Sequence, residues 1–412
     1  MSRTRRPLRA PRAVGVPLSA LLLILIAGAW NAPAAGANEV VRHLEHRAVL
    51  APETLVELEN LAGRIEILPA AGNEMELRAT VHAGSEALAD HLRFDVRERN
   101  GELTVDLGYP IRKHTAYVYP GLYPATAFGF LAPLRTRYRD ESITIHPRPS
   151  GRAILLWADL SLALPADTRA RIRTAAGTIA AERVAGELRL DTTNGAVTVR
   201  DGEGSLEIDT GSGSVEVRSH RGAIVADTGS GAVRLTDVEG DIRADTGSGA
   251  VWLSGIAGNV RVDTGSGSVR LTDVAGDVRA DTGSGAIELE RVTGALALDT
   301  GSGGIRGRAL VVRDEVVADT GSGSVLLEGD FSAVRRLVVD TGSGRATLRF
   351  AGELPALSCE IYAGSGGIDL ALPGFHTLRS SRGHLTGTIA DGSAGTARIK
   401  TGSGGITIQP AG

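Results

Sequence analysis

Asp209-Thr210-Gly211-Ser212-Gly213 returns residue for residue at Asp227, Asp245, Asp263, Asp281 and Asp299, each time 18 residues on, and again at Asp319 and Asp340 after steps of 20 and 21. A variant at Asp191-Thr192-Thr193-Asn194-Gly195 keeps the step of 18, and Arg173-Thr174-Ala175-Ala176-Gly177 carries it one unit further back. Degenerate copies follow at Ala363-Gly364-Ser365-Gly366 and Thr401-Gly402-Ser403-Gly404. A regular middle between irregular ends is the pattern of a solenoid.

Within one unit, Val251 and Leu253 alternate with Trp252, Ile256 follows, and Val260 and Val262 alternate with Arg261. Period-two alternation marks strands with one buried face. Down the repeats, one inward column runs Val197, Val215, Val233, Val251, Val269, Ile287, and another runs Leu188, Leu206, Ile224, Ile242, Val260, Val278, Leu296. A single unit buries too little to fold alone, so units must stack and share backbone hydrogen bonds. The predicted fold is all-β: a parallel β-solenoid of about 18 residues per coil, two short strands and two turns in each. The regular coils are expected over 166–350, with degenerate repeats over 351–412.

Composition agrees. The chain has 412 residues, 54 of them Gly and only 4% aromatic, which favours many tight turns over a helical bundle. With Cys359 as the lone cysteine, neither an internal disulfide nor a thiolate metal cluster can form. Lys113 and Lys400 are the two lysines.

The first 37 residues have the layout of an export signal: Arg3, Arg5, Arg6, Arg9 and Arg12, an apolar run from Val14 to Trp30, and the small-x-small site Ala35-Gly36-Ala37. An uncut membrane anchor is the competing reading, disfavoured because the run is short for a span. Cleavage removes those five arginines and takes the formal net charge from −4 to −9. A net-acidic chain is a poor ligand for nucleic acid. The expected product has no membrane span, is periplasmic or at the cell surface, and meets an envelope polymer, glycan or protein.

Residues 38–165 alternate like strands without the strict period, as in Glu102-Leu103-Thr104-Val105, and are expected to form a β-rich cap over the open edge of the solenoid. Inside it, the insert 109–133 holds Tyr109, Tyr117, Tyr119, Tyr123, Phe128 and Phe130. Such rings stack on sugars or anchor a partner, which makes these six the candidate binding residues; a hydrophobic plug over the first coil is the alternative.

The segment Glu57-Leu58-Glu59-Asn60-Leu61-Ala62-Gly63-Arg64-Ile65-Glu66-Ile67, then Leu162-Ala163-Leu164-Pro165 and Gly177-Thr178-Ile179, then the Asp-Thr-Gly-Ser-Gly ladder, together resemble the bacterial putative-adhesin family with β-strand repeats. The resemblance spans 56–408 apart from the aromatic insert. It implies an exported β-solenoid domain of unknown function, with no catalytic residues to carry over.

Asp-Thr-Gly-Ser also occurs in aspartic proteases, where two carboxylates from distant halves share a proton. Copies on adjacent coils lie side by side and cannot converge that way. Asp209, Asp227, Asp245, Asp263, Asp281, Asp299, Asp319 and Asp340 read instead as a structural turn ladder, with Gly supplying positive φ at the corner and Asp and Ser bonding turn N–H groups. A calcium-binding, β-roll-like module is one alternative, opposed by Arg243, Arg261 and Arg279, which stand two residues before Asp245, Asp263 and Asp281 on the same face. A carbohydrate-active β-helix enzyme is the other, and it needs polar residues that break the columns. His220 and Gly202 break one, at positions where Val238, Ile256, Val274 and Val292 sit in other coils, and a loosened corner is the simpler reading. His43-Leu44-Glu45-His46 has metal-ligand character but reads as a flexible tail. The sequence therefore points to a non-catalytic, adhesin-like or scaffold protein of the cell envelope, without cofactor or metal.

Overall fold

The computed structural model describes residues 39–123 and 132–411. The export signal at 1–37, Phe128 and Phe130 lie outside the described residues. The described residues form one compact unit, built almost wholly of strands, and the one α-helix among them is Glu86–Ala89. Among the described residues no helix is long and apolar enough to cross a membrane.

The repeats form superposed coils of parallel strands. Val233 pairs with Val251 and Val251 with Val269, while Ile242 pairs with Val260 and Val260 with Val278, so each contact joins residues 18 apart. Each coil has a seven-residue strand such as Val233–Glu239 and a five-residue strand such as Ile242–Thr246. Both aliphatic columns are fully interior.

The seven-residue strand is bent at one point in every coil. Asp201, Ser219, Asp237, Asp273 and Arg291 all lie near φ +55, and Gly255 at +68 holds the same place. This left-handed residue puts two outward side chains in succession, Thr236 and Asp237, so Leu235 and Val238 both face the core. Polar and small residues alternate irregularly there, and no single residue type announces the bend.

The stack begins before the regular repeat. Leu55–Ala62 lies parallel to Thr168–Ala176, with Leu58 on Ile172, and Ile65–Pro69 lies parallel to Ile179–Glu182. Residues 70–167 intervene in sequence between these neighbouring coils. They lay Glu102–Leu107 and Ile154–Leu164 as a further parallel rung, and beyond that rung the pairing turns antiparallel, through Phe94–Arg99 on one side and Glu74–Ala83 then Val40–Val49 on the other. A parallel edge that would otherwise offer free N–H and C=O groups is thereby covered. His43 and His46 belong to the strand Val40–Val49 and not to a tail. Three residues apart on a strand, they face opposite sides: His43 meets Thr80 at 3.4 Å and His46 packs towards Phe94.

Candidate functional site

The turn that repeats most strictly is held by threonine, not aspartate. Thr246 Oγ1 donates to the carbonyl of Gly231 in the preceding coil at 3.0 Å and accepts the N–H of Gly249 in its own coil at 3.1 Å. The same pair of bonds recurs from Thr210 to Thr320, and every one of these threonines is buried. The eight pentad aspartates bond no turn N–H, which corrects the expectation that their carboxylates brace the corner. The pentad glycines are likewise not in the left-handed region. They are needed because a Cβ on Gly249 would stand 1.8 Å from the carbonyl oxygen of Gly231, so successive turns nest too closely for any side chain.

Freed from the turn, the carboxylates stand outward in one file. Asp191, Asp209, Asp227, Asp245, Asp263, Asp281, Asp299, Asp319 and Asp340 are consecutive partners in register, one per strand spacing of ~4.8 Å. A cation closes each end. Arg173 meets Asp191 at 3.6 Å, and Lys400 meets Asp340 at 3.3 Å. Partial burial, then repulsion from the flanking aspartates, holds Asp209, Asp245, Asp281 and Asp319 above the ordinary carboxylate range.

Two further columns run beside this file. Arg243, Arg261 and Arg279 are in register two residues away on the same face. At the next corner, side chains replace a turn bond: the N–H of Asn259 donates to Asp241 Oδ1 at 2.8 Å, that of Asp277 to Asn259 Oδ1 at 3.0 Å, and that of Ala295 to Asp277 Oδ1 at 2.9 Å. Asp, Asn and Asp at steps of 18 after a glycine are the sequence signal for this second ladder. An open groove of about 430 Å³ follows these columns, lined by Asp241, Asn259, Asp277, Arg261, Arg279 and Glu315. On the opposite strand, the guanidinium of Arg234 lies 4.6 Å over the half-buried ring of Trp252.

Among the described residues of the aromatic insert, three tyrosines are placed inward. Tyr109, Tyr117 and Tyr119 are buried, and Tyr123 is half-buried. Tyr109 meets Tyr117 and Tyr138 edge to face at 5.9 Å each, and its hydroxyl donates to Asn60 Oδ1 at 2.8 Å. Asn60 itself pairs with Thr174 and so fills the ladder threonine's place in the first coil. Burial holds the Tyr109, Tyr117 and Tyr119 hydroxyls well above their ordinary pKa. Display of these three rings to a ligand is therefore corrected: they are packed into the core at the cap end of the stack, with Tyr109 bonded to Asn60 of the first coil.

Beside them a polar groove of about 520 Å³ crosses the outer face of the cap, with His43, Thr80, Asp159, Arg64, Arg78 and Ser161 on its walls. Next to it His82 stacks on Trp157 at 4.8 Å and is hydrogen-bonded to Glu39 at 2.5 Å. His220 is 4% exposed, with Nε2 donating to the carbonyl of Gly204 at 2.9 Å, and burial lowers its pKa. Among the described residues no three His, Cys, Asp or Glu side chains converge as a metal site.

A family model described as Toastrack DUF4097 matches residues 198–409, just over half of the chain. Among solved structures, the chain is similar to a putative cell adhesion protein from Clostridium sporogenes ATCC 15579, at 11% identity and a TM-score of 0.21, covering 90% of this chain and 100% of that one. It is also similar to a putative adhesin from Parabacteroides merdae ATCC 43184, at 11% identity and a TM-score of 0.25, covering 67% of this chain and 97% of the other. No curated protein matches the chain.

Proposed function

The chain belongs to the Toastrack DUF4097 family, and from that membership we propose that it is an exported, non-catalytic β-solenoid that serves as an adhesin-like or scaffolding surface in the bacterial cell envelope. The observation that carries this reading is the register of the outward columns. Nine aspartates in one file repeat the same chemistry coil after coil, and three consecutive coils at the middle of the file add Arg243, Arg261 and Arg279 in the next column. A surface of constant pitch fits contact along the length of a repeating partner, whereas a catalytic or small-molecule site needs unlike groups converging at one point. The partner class is an envelope polymer, a glycan or a protein displayed there.

Co-sedimentation of the purified chain with isolated cell-wall sacculi tests the reading. The native chain is expected to pellet with the sacculi, and Arg243→Glu, Arg261→Glu, Arg279→Glu in combination should change its retention at least tenfold at low salt, because the electrostatic share of such binding is screened by ions. A native chain that stays in the supernatant, or retention indifferent to the triple reversal, contradicts the proposal.

A further inference from the structure

At one end of the stack, the order of coils in space departs from their order in sequence. Segment 336–351 is not paired with 357–370, the next coil along the chain. Residues 395–410 lie between them, paired in parallel with both. The three segments are chemically alike. Val339, Ile399 and Ile361 form one column, and Leu348, Ile408 and Leu370 another. Their turns nest in the same way: a Cβ on Gly404 would lie 1.9 Å from the Gly344 oxygen, and one on Gly366 would lie 2.0 Å from the Gly404 oxygen.

The intervening coil enters its slot through a short link, 390–394, which leaves the strand His384–Ile389 and must pass the start of Leu357–Ala363 to reach Gly395–Thr401. That crossing covers two strand spacings, ~9.6 Å. It also holds Ala390 at φ +52, a left-handed conformation that a β-carbon disfavours. A strained, short hinge ahead of a self-contained element that fills a complementary slot is the arrangement from which identical chains exchange elements.

We propose that residues 395–410 are an exchangeable coil and that the slot between 336–351 and 357–370 accepts the same coil from a second copy of this chain. Each copy then donates 395–410 and receives its equivalent, every stacking contact is remade between chains, and the hinge is released. Closed and exchanged forms share their contacts, so protein concentration during folding and the length of the hinge set the balance between them.

The test uses the full chain with Cys359→Ala and the pair Asp340→Cys and Lys400→Cys. These positions are lateral partners in register and both are open to solvent, at a spacing of ~4.8 Å that lies within the range a disulfide spans. Two differently tagged populations are refolded together, oxidised, and separated under denaturing, non-reducing conditions. The proposal expects mixed covalent dimers whose share rises with protein concentration during refolding. Pools mixed only after folding should yield none. Removal of Asp391–Ser393 shortens the hinge and should make the dimer the main product. Intrachain disulfides alone at every concentration with the full hinge overturn the proposal, whether or not the shortened chain folds. So does a folded, shortened chain that remains an intrachain-linked monomer.

Discussion

The imidazole of His220 lies over the space that Gly202 leaves empty in the adjoining coil, and a Cβ on Gly202 would stand 2.8 Å from His220 Nδ1. Every other member of that inward column from Val184 to Val292 is Val or Ile. The two exceptions are therefore one feature, a large residue matched by an absent one. Gly202→Val should destabilise by about 1–3 kcal/mol through overpacking, and His220→Val by a similar amount through the cavity it leaves. Together they restore an all-aliphatic column, so the double variant should melt above either single one. Additive losses in a double-mutant cycle would break the pairing.

Thr246 offers a second test, because its hydroxyl serves two buried backbone groups at once. Thr246→Val keeps the shape and strands both, with an expected loss of about 1–3 kcal/mol. Thr246→Ser, which retains the hydroxyl, should recover most of it. Asp245→Ala, one residue earlier and outward, should not lower the melting midpoint. Chemical denaturation of the three variants checks the order, and a larger loss for Asp245→Ala than for Thr246→Val contradicts it.

The file of aspartates makes stability depend on pH with a definite sign. A carboxyl whose folded pKa is raised, as for Asp209, Asp245, Asp281 and Asp319, favours the folded state below the ordinary carboxyl pKa of ~3.9 and loses that contribution as pH rises through the higher folded value. Neighbouring charges at this spacing repel by ~1 kcal/mol in water, less once salt screens such exposed groups. Asp245→Asn with Asp281→Asn should thus raise the melting midpoint at pH 7 in low salt, and the gain should shrink towards pH 4 and in high salt. His220 acts oppositely: with its pKa lowered by burial, its contribution is complete above the unfolded value near 6.5 and falls away as pH drops. Comparing variant with native at each pH cancels that common background. A double variant less stable than the native chain at pH 7 in low salt would refute the repulsion.

The coils were legible because aliphatic columns such as Val233, Val251 and Val269 follow from one period and one alternation. The turn chemistry was not: alternation already sets Thr246 inward and Asp245 outward, but Asp and Thr repeat together, and only the hydrogen bonds show that the threonine hydroxyl holds the turn. The bend at Asp237 is a backbone property shared by Asp, Ser, Gly and Arg, and leaves no composition to read. Tyr109 and Tyr117 looked like a recognition surface because tyrosine suits both a wet interface and a wide core, and the cap that buries them is assembled from strands distant in sequence. The interposed coil 395–410 was hidden because its Gly-Ser-Gly turn is shared with 364–366, so either segment satisfies the repeat.

Removing one whole coil tests the stacked-coil account most directly. Deleting 245–262 takes out 18 residues and brings Ala244 to Asp263, which preserves every column of a stack whose lateral partners are 18 apart. Deleting only 245–253 takes out half a turn and sets inward columns against outward ones. The account predicts that the first variant keeps a cooperative melt and a native-like β circular-dichroism spectrum, with the stack shorter by one strand spacing, ~4.8 Å, in solution scattering, while the second fails to fold. A first variant that unfolds, or two variants that tolerate their deletions equally, would contradict it.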